Sequence, residues 1–497
     1  MTILLKNGLV IDGLGNLADK KDILINNDKI AIVGDVNNSA AADTIIDAVN
    51  CFIAPGFIDI NTDSDHYLTL FKDPQQEDFI KQGVTTIIGG NCGASLAPLI
   101  DGLLISIRRW GDPTGINVQW NSVEEFLKVV EKLQLGVNFG TMVGHNTIRR
   151  AITKDIIRDL TDSEITMLKK IVKNSLEQGA FGFSTNLQSL HSRPTTIYEL
   201  EEILKVVSDQ KKVYSVHLKD TGPNLIDAVK ENIALSKKFK LKVEINHFQP
   251  LTDFKEEYEE AKNLIESEFA NSFINFDCYP FNISSMPLFQ LLPPWVQDGG
   301  LSEMLESLNS SYLKSRIISH LRKYSNNDLI ITSLPESLSF LNGTSLYRYA
   351  ENNRLEFAEA LFRLMQLSHL HGTVFIKNID NDLLKEFIFS SVSFISSNGY
   401  ASTDLVKHER NIKTFSTVLK LALDNKIPLE QFIPKFTFLP AQKYNIKKRG
   451  AIKEGNYADL VIFKDNEIKY VIINGVIVVS DGQLLNKRVG RVLRSYE

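Results

Sequence analysis

The sequence predicts an α/β protein: a (β/α)8 TIM barrel with a small β-sandwich domain formed by the N- and C-terminal segments. Three observations predict it. Eight short apolar runs of strand character are spread over residues 55–446, with helical segments between them. The end segments, 1–54 and 447–497, read instead as short strands broken by turn signals, and chain ends commonly lie close together. At 497 residues the chain can bury one large core and a smaller one.

In chain order, the first segment offers Ile3–Leu5, Leu9–Ile11, Asp22–Ile25 and Lys29–Val33, with Asn26-Asn27-Asp28 as a turn. The expected barrel strands are Phe57–Ile60, Thr85–Ile88, Val137–Val143, Ala180–Ser184, Val213–Val216, Val243–Asn246, Phe273–Phe276 and Val392–Ser396. Helix starts show a hydroxyl followed three residues later by glutamate: Ser122 with Glu125, Thr161 with Glu164, Thr196 with Glu199. Pro223 opens another apolar-periodic helix. Residues 284–350 break the rhythm with Pro287, Pro293-Pro294-Trp295 and an Asn342-Gly343 turn, and read as an insertion covering the barrel mouth. The end segment offers Asp459–Phe463 and a hairpin, Ile468–Ile473 and Val476–Val479 around Asn474-Gly475.

A net charge of −5, an isoelectric point near 6.1 and no basic block argue against a nucleic-acid partner. Lys447-Lys448-Arg449 reads as solvated surface. Three cysteines exclude a disulfide framework and fit a reducing compartment. No signal peptide and no apolar run of membrane-spanning length is evident, so the expectation is a soluble cytoplasmic protein with no membrane partner. The oligomeric state is not legible.

In such a barrel the chemistry sits at the C-terminal ends of the strands. The polar residues there are Asn61 and Asp63, Cys92, His145, Thr185 and Asn186, His217, His247, Asp277 with Tyr279, and Asn398. A lone buried cysteine or histidine is ordinarily core. Cys92, His217 and His247 on the second, fifth and sixth strand ends together make a zinc set of one thiolate and two imidazoles, with a fourth position open. A metal so held acidifies water and polarises a carbonyl, as amide hydrolysis requires. His145 is assigned to orienting a loop or ligand. Asp277 reads equally as a barrel-mouth ion-pair partner or a catalytic group. Cys51, Cys278, His66, His191, His320, His369, His371 and His408 are assigned to packing or surface.

These residues resemble the amidohydrolase superfamily, specifically the N-acyl-D-amino-acid deacylases (D-aminoacylases), over nearly the whole chain. The resemblance rests on Ala54-Pro55-Gly56-Phe57-Ile58-Asp59, Gly83-Val84-Thr85-Thr86 leading to Gly90-Asn91-Cys92-Gly93, and Gly140-Thr141-Met142-Val143-Gly144-His145. It continues in Gly179-Ala180-Phe181-Gly182-Phe183-Ser184-Thr185, Asp277-Cys278-Tyr279-Pro280, Leu439-Pro440-Ala441, Ala458-Asp459-Leu460-Val461 and Gly490-Arg491-Val492-Leu493. It implies one zinc held tightly by Cys92, His217 and His247 and hydrolysis of an N-acyl amide. It also exposes departures. The family's His-x-His, which helps form a second, weaker metal site, is Asn61 and Asp63 here; its general-base aspartate is Asn398. An amide takes no proton at neutral pH, so that role does not carry over. The family's substrate-holding lysine is Gln249 and its loop tyrosine is Ser189, which with Tyr279 make the expected substrate-binding set.

Two functions compete. The first is a zinc hydrolase of an N-acyl amino acid or related amide, a small-molecule substrate, with Asp63 or Asp277 as base and the second metal site lost. The alternative is a pseudoenzyme that keeps a structural zinc or binds a ligand without turnover. A cysteine-nucleophile enzyme is a weaker third, because two imidazoles converging on one thiol suit a metal better than a dyad.

Overall fold

The computed structural model describes residues 1–36, 42–100, 113, 115–154, 156–189, 191–297, 301–325, 329–402 and 406–496. Eight barrel strands form where apolar, β-branched runs predict them: Phe57–Asp59, Val84–Gly89, Asn138–Thr141 continued by Val143–Gly144, Gly182–Asn186, Val213–His217, Lys242–Ile245, Phe273–Cys278 and Ser393–Ile395. Such runs suit parallel strands buried on both faces, and Val84–Gly89 is buried throughout.

The strands pair in chain order as two parallel sheets, of three and six strands, that share the third barrel strand. The third strand passes between them at Met142, whose backbone N–H donates to the Gly89 carbonyl at 2.8 Å. The ring closes more sparsely between the first and eighth strands. A single bridge joins Thr62 to Gly399, and the Ser397 N–H donates to both Asp59 carboxylate oxygens at 3.1 and 3.2 Å. Burial pushes Asp59 up to about 7 against those bonds.

The two chain ends meet where Phe52–Pro55 pairs antiparallel with Leu460–Lys464, giving one nine-stranded sheet. Its core gathers Ile3, Leu5, Ile23, Ile25, Ile53, Leu460, Ile462 and Ile472, residues from both ends. The hairpin turn needs its glycine: Asn474 and Gly475 have φ of 49° and 77°, and a Cβ on Gly475 would lie 1.8 Å from the Asn27 carbonyl oxygen. Two details depart from the sequence reading. Residues 490–493 leave the sheet and run beside the third barrel strand, with Phe139 N–H donating to Arg491 O at 2.9 Å and Leu493 N–H to Phe139 O at 2.7 Å. Arg449 is not solvated surface; it is buried and paired with buried Asp459.

The insertion is longer than 284–350. It is a three-stranded antiparallel sheet of Ile283–Pro287, Leu329–Ser333 and Thr373–Lys377 with its own core, including Leu291, Ile317, Ile331, Leu361 and Val374. Its last strand and preceding helix, Phe357–Leu367, look in sequence like one more barrel crossover, which hid the boundary. Residues 298–300 and 326–328 of that segment, and 37–41 and 497 of the terminal segments, lie outside the described residues.

The capping boxes at Ser122/Glu125 and Thr161/Glu164 form in full. At Thr196 the hydroxyl accepts from Glu199 N–H, but the Glu199 carboxylate turns inward to His145 and Arg149. No helix of the described residues is long and apolar enough to cross a membrane.

Candidate metal centre

Cys92 is delivered by a tightly fastened loop. Gly90 has φ 76°, and a side chain there would lie 2.4 Å from the Met142 carbonyl oxygen. Asn91 Nδ2 donates to the carbonyls of Ile60 and Ile88 at 3.1 Å each, and its Oδ1 accepts from Ser215 Oγ at 3.0 Å, tying the first, second and fifth strands at the rim. Cys92 takes φ 49°, and its Sγ lies 3.3 Å from His247 Nε2. His217 ends the fifth strand with Nδ1 2.9 Å from the same nitrogen.

The three donor atoms lie within 4.8 Å of one another and form the one such group of His, Cys, Asp or Glu found among the described residues. A tetrahedral zinc would set its nitrogen ligands about 3.4 Å apart. The 2.9 Å between the two nitrogens is shorter, so the rings would part by about half an ångström around the ion. One soft sulfur with two imidazole nitrogens is the donor set it prefers. Burial pushes the His247 imidazole down to about 4, with Asp63 opposing and Arg410 assisting, so the ring is neutral at neutral pH as ligation demands.

Asp277 faces this group from behind. Its Oδ1 accepts from the His247 N–H at 3.0 Å, Asn61 Nδ2 at 3.2 Å and Ser396 Oγ; its Oδ2 accepts from Asn61 Nδ2 at 3.3 Å and Asn246 Nδ2 at 3.5 Å. Burial raises it to about 6 against these bonds. Both oxygens are engaged, and the carboxylate orients the His247 backbone and Asn61. Asn61 Oδ1 is buried with no hydrogen-bond partner.

Asp63 lies at the barrel seam, 13% exposed, with Oδ1 2.9 Å from His66 Nδ1. Its N–H donates to the Gly399 carbonyl at 2.7 Å. With the Asn398 amide turned as its neighbours require, Nδ2 donates to Asp63 Oδ2 at 3.2 Å and Oδ1 accepts from Arg410 Nη1 at 3.2 Å. Asn398, at φ 46°, therefore links an acid to a cation.

Sequence reasoning missed Arg410. It stands in the first turn of helix Glu409–Asp424, after the eighth strand, is 5% exposed, and has a buried Nε with no hydrogen-bond partner. Its guanidinium carbon lies 5.4 Å from the centre of the Tyr279 ring. Burial works against its charge, while the Asp63 carboxylate and the neighbouring Tyr279, Tyr67 and Tyr400 favour it, and the last two rings stack with centroids 3.8 Å apart. No motif marks it; the usable signal was an arginine just past the last strand end.

Of the other expected residues, Gln249 is buried with Nε2 donating to the Tyr279 carbonyl at 3.4 Å and Oε1 unpartnered. The Tyr279 hydroxyl donates to the Ile283 carbonyl at 3.3 Å, at the root of the insertion. Ser189 Oγ accepts from Asn146 Nδ2, next to the Gly93 carbonyl that takes the Asn146 N–H at 2.8 Å. His145 is not among the three clustered donors; its Nε2 lies 2.8 Å from Glu199 Oε1, which also accepts from Arg149 Nε at 3.1 Å. This buried triad holds the loop after the fourth strand, since Arg149 Nη1 donates to the His191 carbonyl at 2.6 Å.

Comparison with known proteins agrees with this architecture. An amidohydrolase family model matches residues 378–478. The chain is 28% identical to a D-aminoacylase of Alcaligenes xylosoxydans xylosoxydans over 99% of this chain and 97% of that one. It is 26% identical to an N-acyl-D-aspartate deacylase of the same organism over 91% and 84%. A D-aminoacylase crystal structure superposes over 99% of both chains at 26% identity with a TM-score of 0.80. An N-acyl-D-glutamate deacylase of Bordetella bronchiseptica, complexed with zinc and a phosphonate mimic of the tetrahedral intermediate, shares the fold at 22% identity, 99% of both chains and a TM-score of 0.81. With its barrel, its terminal sheet and a thiolate-imidazole cluster at the strand ends, the chain is similar in sequence and fold, over nearly its whole length, to the D-aminoacylases and N-acyl-D-amino-acid deacylases.

Proposed function

We propose that this protein is a zinc-dependent amidohydrolase that cleaves the C–N bond of an N-acyl amino acid or a related amide. The observation that carries the reading is the convergence of Cys92 Sγ, His217 Nδ1 and His247 Nε2 at the C-terminal rim of the barrel. Zinc bound there supplies a polarised carbonyl and an acidified water. Asp277 holds His247 in place from behind. Asp63, partly exposed at the rim, is the carboxylate that takes the proton from water. Arg410, with a spare buried N–H and aromatic rings around it, pairs with the carboxylate of the substrate. Gln249, Tyr279 and Ser189 shape the remaining contacts with neutral donors and acceptors.

The chain holds one tight metal ion. Asn61 and Asn398 offer amides, and their nitrogens are turned to Asp277 and Asp63. The relatives, named as hydrolases, give no support to a ligand binder without turnover.

The test is turnover of a panel of N-acyl-D- and N-acyl-L-amino acids and cyclic amides by protein whose zinc content is measured. Asp63→Asn is expected to lower kcat by about 10²–10⁴-fold with the metal content unchanged at one per chain. Wild-type turnover in Asp63→Asn removes Asp63 as the proton acceptor. Turnover unaffected by Cys92→Ser, or by complete removal of zinc, removes the hydrolase mechanism altogether.

A further inference from the structure

His66 was expected to be a packing or surface residue, and the structure gives it another place. It is 1% exposed, its Nδ1 lies 2.9 Å from Asp63 Oδ1, and its Nε2 lies 3.0 Å from the Ala94 carbonyl oxygen. A carbonyl oxygen only accepts, and an ionised carboxylate only accepts. A neutral imidazole carries one N–H, so a ring seated between two acceptors needs both nitrogens protonated.

We propose that His66 is a positioning residue: a doubly protonated ring that fastens Asp63 to the loop carrying Cys92. Ala94 stands two residues beyond Cys92, and the same loop is held a second time by Asp65, whose Oδ2 accepts from the Gly90 N–H at 2.7 Å. The first-strand loop therefore grips the cysteine loop by one carboxylate and one imidazolium. Removing the ring frees the rotamer of Asp63 on one side and the Ala94 peptide on the other. The charged groups acting on the ring from its own loop are Asp65 and Asp63. Across from it the cysteine loop presents the Ala94 carbonyl. Burial alone would lower the imidazole, but the two carboxylates and the Ala94 carbonyl outweigh it and hold it up at about 9.

The proposal rests on Asp63 as proton acceptor for its effect on rate, so the tests separate the two. In full-length, zinc-loaded protein labelled at histidine ring nitrogens, with His66→Gln as the assignment reference, both His66 nitrogens are expected to be protonated at neutral pH. A ring with one bare nitrogen, the proton residing on Asp63 instead, overturns the proposal. Transfer of zinc to a colorimetric chelator is expected to be about tenfold faster from His66→Ala than from wild type, with His66→Gln between them. Equal transfer rates in all three overturn the fastening role. On the best N-acyl amino acid of the panel, His66→Ala is expected to lower kcat about 10–100-fold with KM nearly unchanged. The alkaline limb of the wild-type profile is expected to vanish in His66→Gln. A wild-type kcat with an unaltered pH profile overturns the effect on Asp63. If Asp63→Asn itself retains wild-type turnover, the base assignment fails while the ring spectrum and zinc transfer still decide the role of His66.

Discussion

Arg410 and His66 flank one carboxylate, and both escaped detection in the sequence for the same physical reason. Their meaning depends on partners far away along the chain or buried by loops that only the closed barrel brings together: Asn398 bridges Arg410 to Asp63, and Ala94 meets His66. Cys92, His217 and His247, by contrast, announced themselves because each ends a run of strand residues. Two consequences belong to single residues. Arg410→Met is expected to raise KM for an N-acyl amino acid by about 10²-fold, the worth of a buried charge-assisted bond of roughly 2–3 kcal/mol. The corresponding amide without a carboxylate should lose far less, and steady-state kinetics on the matched pair checks it. His66 gives a pH dependence of stability. Its folded value, about 9, stands above its unfolded value of about 6.5, so it stabilises fully below the latter and that contribution is lost as pH rises through the former. Melting temperatures of wild type and His66→Gln are therefore expected to differ most near pH 6 and to converge by pH 9–10, wild type being higher.

Among elements, the barrel strands and the capped helices were legible because apolar periodicity and cap chemistry are local. The insertion boundary was not, because Phe357–Leu367 carries a helix period and Thr373–Lys377 a strand pattern indistinguishable from a barrel unit. Thr196–Glu199 marks where local chemistry was overruled. The Glu199 side chain leaves its own helix start for His145 and Arg149, because those two buried groups have greater need of an acceptor than a solvated N-terminus does. Glu199→Ala leaves a buried arginine without its carboxylate and is expected to cost about 3–5 kcal/mol. Urea denaturation measures that loss, and hydrogen exchange in the loop after the fourth strand should rise well before global unfolding, since Arg149 ties that loop through the His191 carbonyl.

For the whole molecule, a buried polar knot ties the terminal sheet to the barrel beside their shared apolar packing. Asp459, from the Ala-Asp-Leu-Val stretch that the sequence made conspicuous, accepts from the Asn474 N–H at 2.7 Å, from Asn138 Nδ2 of the third barrel strand at 3.1 Å, and from Arg449. Arg449 Nη2 in turn donates to Asn474 Oδ1 at 2.8 Å, and the Asn138 oxygen accepts from Asn474 Nδ2 at 2.9 Å and the Arg491 N–H at 3.0 Å. The hairpin turn, the final chain segment and the barrel thus share one carboxylate. Removing it leaves Arg449 buried and unpaired at the junction of two cores, a cost of about 3–5 kcal/mol. Because Asn138 lies on the strand beside the one that delivers Cys92, the damage is expected to reach the rim. Asp459→Ala should unfold at lower denaturant and release zinc sooner than wild type during the transition. Asp459→Asn, which keeps the shape but loses the charge, should fall between the two. If Asp459→Ala unfolds at the wild-type midpoint with its zinc retained, the terminal sheet is an appendage rather than a support of the metal centre.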